Sequence, residues 1–279
     1  MILGYVFTVL ATLASGSGSV LESIGVRRAG AYGGTALALV ALRRQYIYFL
    51  GIVVDLAGFV CAAAALHRLP LFLVQSALAF SVGVTATISA FMGTRLAGAG
   101  WTWLGIGAVG LIMLGVSAEP SPAQPLPPGW RWLLLGMTVP VAGLAWHARR
   151  RARSWTAPVL AFCAGLGFCV VGVSARTLSI PDSTWRLILE PSSWAILLNG
   201  LTAAAVFAMA LQNSGATAVT AIMFTTNTTL SSAVGLAYLD DHIRTGFVTV
   251  AAAGFLLAIT GAIRTAHHAT HPRPSRHPA

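Results

Sequence analysis

The chain has 279 residues, is 56% hydrophobic and only 9% charged, and has a mean hydropathy of +0.78. A soluble domain carries about a quarter charged residues, so this composition excludes a sizeable water-soluble domain and leaves room for many membrane-crossing helices. The net charge of +10 comes from arginine alone, in gaps between apolar runs rather than gathered on one polar face, which excludes a nucleic-acid binder.

A helix needs about 20 apolar residues to cross a bilayer. On that measure nine spans are expected, over residues 2–26, 46–66, 71–91, 101–118, 130–147, 155–175, 194–211, 216–238 and 247–263. Several open on tryptophan, which favours the membrane interface. No basic segment precedes the first run, so it reads as a retained helix and not a cleaved leader. Pro70 and Pro158 fall near span starts, where a missing N–H costs nothing. Pro140 lies inside the fifth span and predicts a kink there. Residues 31–42 are too short to cross upright and read as a re-entrant or interfacial segment, or else a tenth span. Residues 121–128 are proline-rich and read as an extended loop, and the polar stretch from His267 reads as a disordered tail.

Two parts of the chain resemble one another. Residues 66–116 run as an apolar segment, a turn at Gly93-Thr94-Arg95 and a second apolar segment, and residues 211–263 do the same around Leu239-Asp240-Asp241. Upstream, Gly16-Ser17-Gly18 followed by Arg27 is echoed at the same spacing by Gly165-Leu166-Gly167 followed by Arg176. Residues 1–153 are thus expected to hold the first copy and the fifth span, 154–266 the second copy, and 267–279 a cytoplasmic tail. An odd number of crossings between copies turns the second upside down, the plan of many secondary transporters. With nine spans, twelve of the seventeen arginines fall on one side, among them Arg27, Arg28, Arg149, Arg150 and Arg264. Arg68, Arg131, Arg176, Arg186 and Arg244 fall on the other. The positive-inside rule then puts the N-terminus outside and the C-terminus in the cytoplasm. Arginine without lysine, with abundant Ala, Gly and Val, fits a GC-rich bacterium and so its plasma membrane.

Polar groups inside the spans need a reason to be there. Asp55 lies eleven positions beyond Arg44, roughly 16 Å along a helix and so near mid-membrane. A carboxylate at that depth is expected either at a cation or proton site facing an internal cavity or, protonated, tying helices together. Glu22 is shallower and suits either a transport role or a local pair with Arg27 or Arg28. Gln75 and Asn227 carry amides that back-bonding to the preceding turn does not satisfy. Ser76 and Thr226 offer oxygens to a solute or ion, or back-bond to the preceding turn. Asn199 falls near the position matching Asp55 under the repeat. Gly16, Gly18, Gly165 and Gly167 permit close helix contact or local unwinding.

Other residues carry less. Cys61, Cys163 and Cys169 all lie in apolar runs and read as small buried hydrophobes. The histidines sit at span ends or in the tail. No catalytic constellation and no cofactor-binding pattern occurs, so an enzyme is the least favoured class.

The run Ala65-Leu66-His67-Arg68-Leu69-Pro70-Leu71 to Val74-Gln75-Ser76 resembles the start of the third helix in the drug/metabolite transporter superfamily (EamA-like). Gly93-Thr94-Arg95-Leu96, followed by Gly105 and Gly115, is similar to that family's Gly-Glu turn and the glycine-bearing helix after it. The acid is missing from the first copy and survives in the second as Asp240-Asp241. Nine spans with an outside N-terminus also resemble the NIPA-type branch, associated with magnesium transport. The resemblance implies an all-α polytopic fold and a central cavity between inverted halves. The leading expectation is a secondary transporter of a small solute, binding between spans one, three, six and eight, with Asp55 as a proton or cation group. The alternatives are a Mg²⁺ transporter whose metal-attracting residues are Asp55 and Glu22, and a non-transporting accessory or lipid-handling protein of envelope assembly. The expected partners are the bilayer and a small-molecule or cation substrate.

Overall fold

The computed structural model describes residues 2–30, 46–92, 98–119, 127–151, 155–178, 189–213 and 216–270. The first part of the chain forms α1 (Ile2–Gly30), α2 (Tyr46–Leu66), α3 (Leu71–Ala79), α4 (Ser81–Phe91) and α5 (Gly98–Ser117), then a short strand β1 (Ala118–Glu119). Next come α6 (Pro128–Gly136) and α7 (Thr138–Arg151). The last part forms α8 (Thr156–Thr177), α9 (Pro191–Asn213), α10 (Ala216–Tyr238), β2 (His242–Ile243) and α11 (Val248–Thr270).

Long uncharged apolar runs become helices in lipid because the backbone then satisfies its own N–H and C=O groups. Among the described residues seven helices are long and apolar enough to cross a membrane, over 2–22, 46–66, 71–91, 98–117, 156–177, 191–211 and 248–265. Their outward side chains are those of a lipid-facing surface. Val53, Leu56 and Val60 on α2, Ile112 on α5, Leu201 on α9 and Leu256 on α11 are each at least 60% exposed. Water would not tolerate so broad an apolar surface. The chain is a predominantly helical, multi-pass membrane protein.

Seven is two fewer than expected from sequence, for two physical reasons. The fifth expected span is broken into α6 and α7 at Met137. Pro140 has no N–H to return to Gly136, so the helix restarts and Pro140 falls in the first turn of α7. The interruption therefore precedes the proline instead of bending the helix at it. The eighth, α10, is continuous, but Thr225 through Thr229, Ser231 and Ser232 dilute its apolar character. Two further expectations are corrected. Arg176 lies in the last turn of α8 and not in a loop, and α11 runs on through His267 to Thr270. Residues 31–42, the Gly93-Thr94-Arg95 turn, residues 121–126 and the tail beyond Thr270 lie outside the described residues.

Helix contacts are set by small residues. α1 packs along α2, α8 along α9 and α10, and α5 along α11. A Cβ on Gly110 would sit 2.4 Å from the Ala258 backbone nitrogen, and one on Gly261 would sit 2.4 Å from Gly107 Cα. Only glycine lets α5 and α11 approach this closely.

One end of the bundle is tied by β1 and β2, which pair antiparallel with Ala118 opposite Ile243 and Glu119 opposite His242. The Arg244 N–H donates to the Ser117 carbonyl at 2.9 Å. The Tyr5 hydroxyl donates to the Gly115 carbonyl at 3.0 Å, and Arg131 pairs with Glu190 at 2.6 Å. At this ladder end converge the starts of α1, α3, α6, α9 and α11 and the ends of α2, α5, α8 and α10.

Candidate functional site

Two polar groupings join the earlier helices to the later ones. The first lies within the bundle. Asn227 on α10 donates from Nδ2 to Gln75 Oε1 on α3 at 3.2 Å, and the Ser231 hydroxyl donates to Asn227 Oδ1 at 3.3 Å. Cys169 on α8 is in hydrogen-bond contact with Ser231. Gln75 is 5% exposed and Asn227 7%. A methyl on Gly172 would land 2.1 Å from Gln75 Nε2, so glycine at that point of α8 makes room for the amide. Two amides 152 positions apart in sequence thus share a hydrogen bond in a dry setting, where an unpaired amide is costly.

The second grouping lies at the ladder end. The Arg176 guanidinium pairs with the Asp241 carboxylate, both side chains being fully buried. Arg176 also donates to the carbonyls of Leu66 and Leu69 in the turn between α2 and α3. Asp241 Oδ2 accepts the Leu71 N–H at 2.7 Å and so caps the start of α3. The turn that delivers Asp241 is tight. Asp240 takes φ 57°, a conformation aspartate adopts more readily than most residues, and the Asp241 N–H returns to the Gly235 carbonyl at 3.1 Å. A Cβ on Gly235 would lie 2.5 Å from Asp241 Oδ2. Beside the pair, burial first, then Arg176 and Arg68, hold the His67 imidazole below its ordinary pKa.

The two acids expected inside the spans lie elsewhere. Asp55 is on the α1-facing flank of α2, exposed, hydrogen-bonded to Ser15 and beside the α1 backbone at Gly18. Glu22 lies across the same seam, against Gly51 and within electrostatic range of Asp55. Its hydrogen bond to Ser15 across the α1–α2 seam fits the reading of an acid that ties helices together. α2 packs chiefly on α1, so its flank looks out of the bundle.

The remaining sequence candidates are placed as follows. Ser76 donates back to the Phe72 carbonyl at 2.7 Å, and Thr226 packs on Gly165. Asn199 is fully buried and clamps α6 to α9, donating to the carbonyls of Leu134 at 3.2 Å and Ala195 at 2.9 Å. Gly18 abuts the Gly51 carbonyl and Asp55, while Gly167 abuts the Asn199 carbonyl and Ala203. Asn199 therefore matches Gly51 and lies one turn from the position matching Asp55. Gly16 abuts Val84 and the Ser81 carbonyl, and Gly165 abuts Thr226 and the Met223 carbonyl. All four glycines sit at close helix contacts, and none unwinds its helix.

Two cavities flank this framework. One of about 640 Å³ lies between α1, α4 and α5, lined by Leu13, Val84, Ile88, Trp101 and Leu104 among others. Another of about 200 Å³ lies between α6, α8 and α10, beside Cys169, with Trp130 and Tyr238 in ring contact on its wall. Both are apolar, and neither includes Asp55 or Glu22. Among the described residues no three His, Cys, Asp or Glu side chains cluster as a metal site would require. No protein-family model, curated protein or solved structure matches this chain.

Arg176 and Asp241 were not singled out by sequence. An arginine at the edge of an apolar run looks like topology charge. The signals that existed were the spacing echo of Arg27 in Arg176 and the acid surviving in the second turn.

Proposed function

We propose that this chain is a secondary transporter that moves a small solute by alternating access between two inverted halves, with Gln75 and Asn227 at the solute-binding centre. The observation that carries this reading is the buried amide pair. Its members come from the third and eighth expected spans, they carry no net charge, and among the described residues their side chains bond to one another and to Ser231. A solute with a hydrogen-bonding group can replace either partner without stranding a charge. Neutral amides and hydroxyls at the centre favour an uncharged polar solute.

Nine crossings are supported by the helices at the fifth and eighth positions and by the convergence of alternate ends at the ladder end. The inverted repeat is supported by the glycines. In each half the first glycine meets the third helix of its copy and the second meets the second helix: Gly16 with α4 and Gly18 with α2, Gly165 with α10 and Gly167 with α9. The likeness to the drug/metabolite transporter superfamily implies the same plan. Arginine bias favours a bacterial plasma membrane with the N-terminus outside and the C-terminus cytoplasmic.

A second reading, a Mg²⁺ carrier of NIPA type, rests on the meeting of Glu22 and Asp55 in one seam. Mg²⁺ keeps most of its water and needs few carboxylates.

Both readings meet in one experiment. Proteoliposomes are exposed to a mixed extract of small metabolites, and their contents are read by mass spectrometry. The wild type is expected to accumulate a defined uncharged solute, and Gln75→Leu and Asn227→Leu to lose that accumulation about tenfold or more, the effect of leaving one hydrogen-bonding partner unmet. Contents equal to those of empty liposomes, or unaffected by either substitution, would reject the amide centre. The same vesicles loaded with a Mg²⁺-sensitive dye decide the second reading: a signal abolished by Asp55→Asn upholds it, and no signal removes it.

A further inference from the structure

We infer that Arg176 and Asp241, with the backbone of the turn they grip, form a latch that shuts the ladder end over the Gln75–Asn227 centre. The inference rests on the transport reading and names how access to that centre is controlled.

The first argument is position. Asp241 holds the N–H of Leu71, and Gln75 lies four residues further along α3 on the same face, about 6 Å deeper at 1.5 Å per residue. Arg176 lies seven residues beyond Cys169 on α8, about two turns, and Cys169 touches Ser231 of the centre. The latch thus covers the amide pair from above on both α3 and α8.

The second argument is chemistry. The ion pair lies within the later half and links it to the backbone of the earlier one: Arg176 to the Leu66 and Leu69 carbonyls, and Asp241 to the Leu71 N–H. These groups have two stable conditions. Dry, they hydrogen-bond to one another. With the halves parted, the pair and the backbone groups it held are hydrated, and the hydration regained offsets the hydrogen bonds lost. Interlocked apolar side chains have no such alternative, since opening only exposes them. Charge-assisted hydrogen bonds from a buried ion pair of the later half to the backbone of the earlier half are therefore suited to a reversible closure, and a purely structural contact at this depth would be as stable with apolar residues.

The third argument is Gly235. Its missing Cβ leaves the space that Asp241 Oδ2 occupies. Gly235→Ala pushes the carboxylate out of place without removing any charge, so it disturbs the latch independently of Asp241→Asn.

The experiment follows the exposure of Cys169, the thiol nearest the centre. Cys61 and Cys163 are replaced by alanine, the protein is reconstituted, and labelling of Cys169 by a small membrane-impermeant thiol reagent is timed. The unmodified latch is expected to label slowly. Asp241→Asn and Gly235→Ala are each expected to raise the rate about tenfold or more, as a population shift toward an open state does, while the purified protein still elutes as a single folded species. A rise in neither variant or in only one, or loss of the folded species in both, would overturn the latch and leave the pair a structural tie. Labelling needs no solute. A rise in both variants beside a failed transport assay would leave the moving closure standing and reject its cargo.

Discussion

Arg176→Ala is expected to destabilise the closed form by about 3–5 kcal/mol, the cost of stranding one member of a buried ion pair. Substituting both partners by apolar side chains, Arg176→Met with Asp241→Leu, is expected to recover most of that loss. The reasoning lies in the solvation terms. Both side chains are fully buried, so each has given up its water. Their mutual attraction and the Leu66, Leu69 and Leu71 backbone bonds offset that loss only while both are present. Removing the guanidinium leaves a carboxylate with the Leu71 N–H and the weaker influence of His242 as compensation. Removing both leaves the backbone groups of one turn to find new partners, a smaller cost. Thermal unfolding of purified protein checks the sign: the single variant melts well below the double. If the open form lies closer in free energy than the full penalty, the melting shift of the single variant shrinks and labelling of Cys169 rises in its place. Equal melting of wild type, single and double variants would mean the pair contributes nothing to holding the ladder end.

Gly110→Ala and Gly105→Ala, five residues apart on α5, are expected to move stability in opposite directions. A Cβ on Gly110 would lie 2.4 Å from the Ala258 nitrogen and 2.7 Å from the Gly254 carbonyl oxygen. Both are backbone atoms, so α11 as a whole must shift away, and overpacking of this kind costs about 1–3 kcal/mol. Gly105 has nothing within 4 Å of the added carbon. There the change removes a flexible residue from a helix and gains up to about 1 kcal/mol. Melting temperatures of the two variants, taken side by side in one detergent, decide the matter. A shift of the same sign for both would show that α5 and α11 do not meet through Gly110.

That Gln75 and Asn227 need polar partners was legible in sequence, because an amide has more donors and acceptors than its own helix supplies; which partner each finds was not, for Asn227 takes Ser231 from its own helix and Gln75 from another. The four glycines were foreseeable from their spacing, since two small residues one position apart let a helix touch two neighbours. What sequence did not reveal is orientation about each helix axis. Asp55 has the depth of an ion site, yet depth does not say whether a side chain faces the bundle or its flank, and α2 turns it toward the flank. Arg176 has the sequence context of a loop arginine, yet α8 carries it into the interior because the carbonyls of another turn await it there. Pro140 marked a disturbed helix correctly, but the missing N–H is felt one turn earlier, so the break falls at Met137. In each case sequence set the residue's chemistry, and the neighbouring helix decided its use.

Single cysteines placed at the two ends of the bundle give the sharpest check on the inverted plan. Glu119→Cys, Leu189→Cys and Gly246→Cys lie at the ladder end, and Arg28→Cys, Trp155→Cys and His267→Cys at the opposite end, all at exposed positions. In sealed membranes a membrane-impermeant maleimide is expected to reach the first three from one face only and the last three from the other face only. α1 then leads toward the side from which α8 departs, and the two glycine-bearing helices run in opposite directions. Labelling of Arg28→Cys and Trp155→Cys from different faces would mean that the two halves thread the bilayer alike, and a carrier built on inverted halves would have to be abandoned.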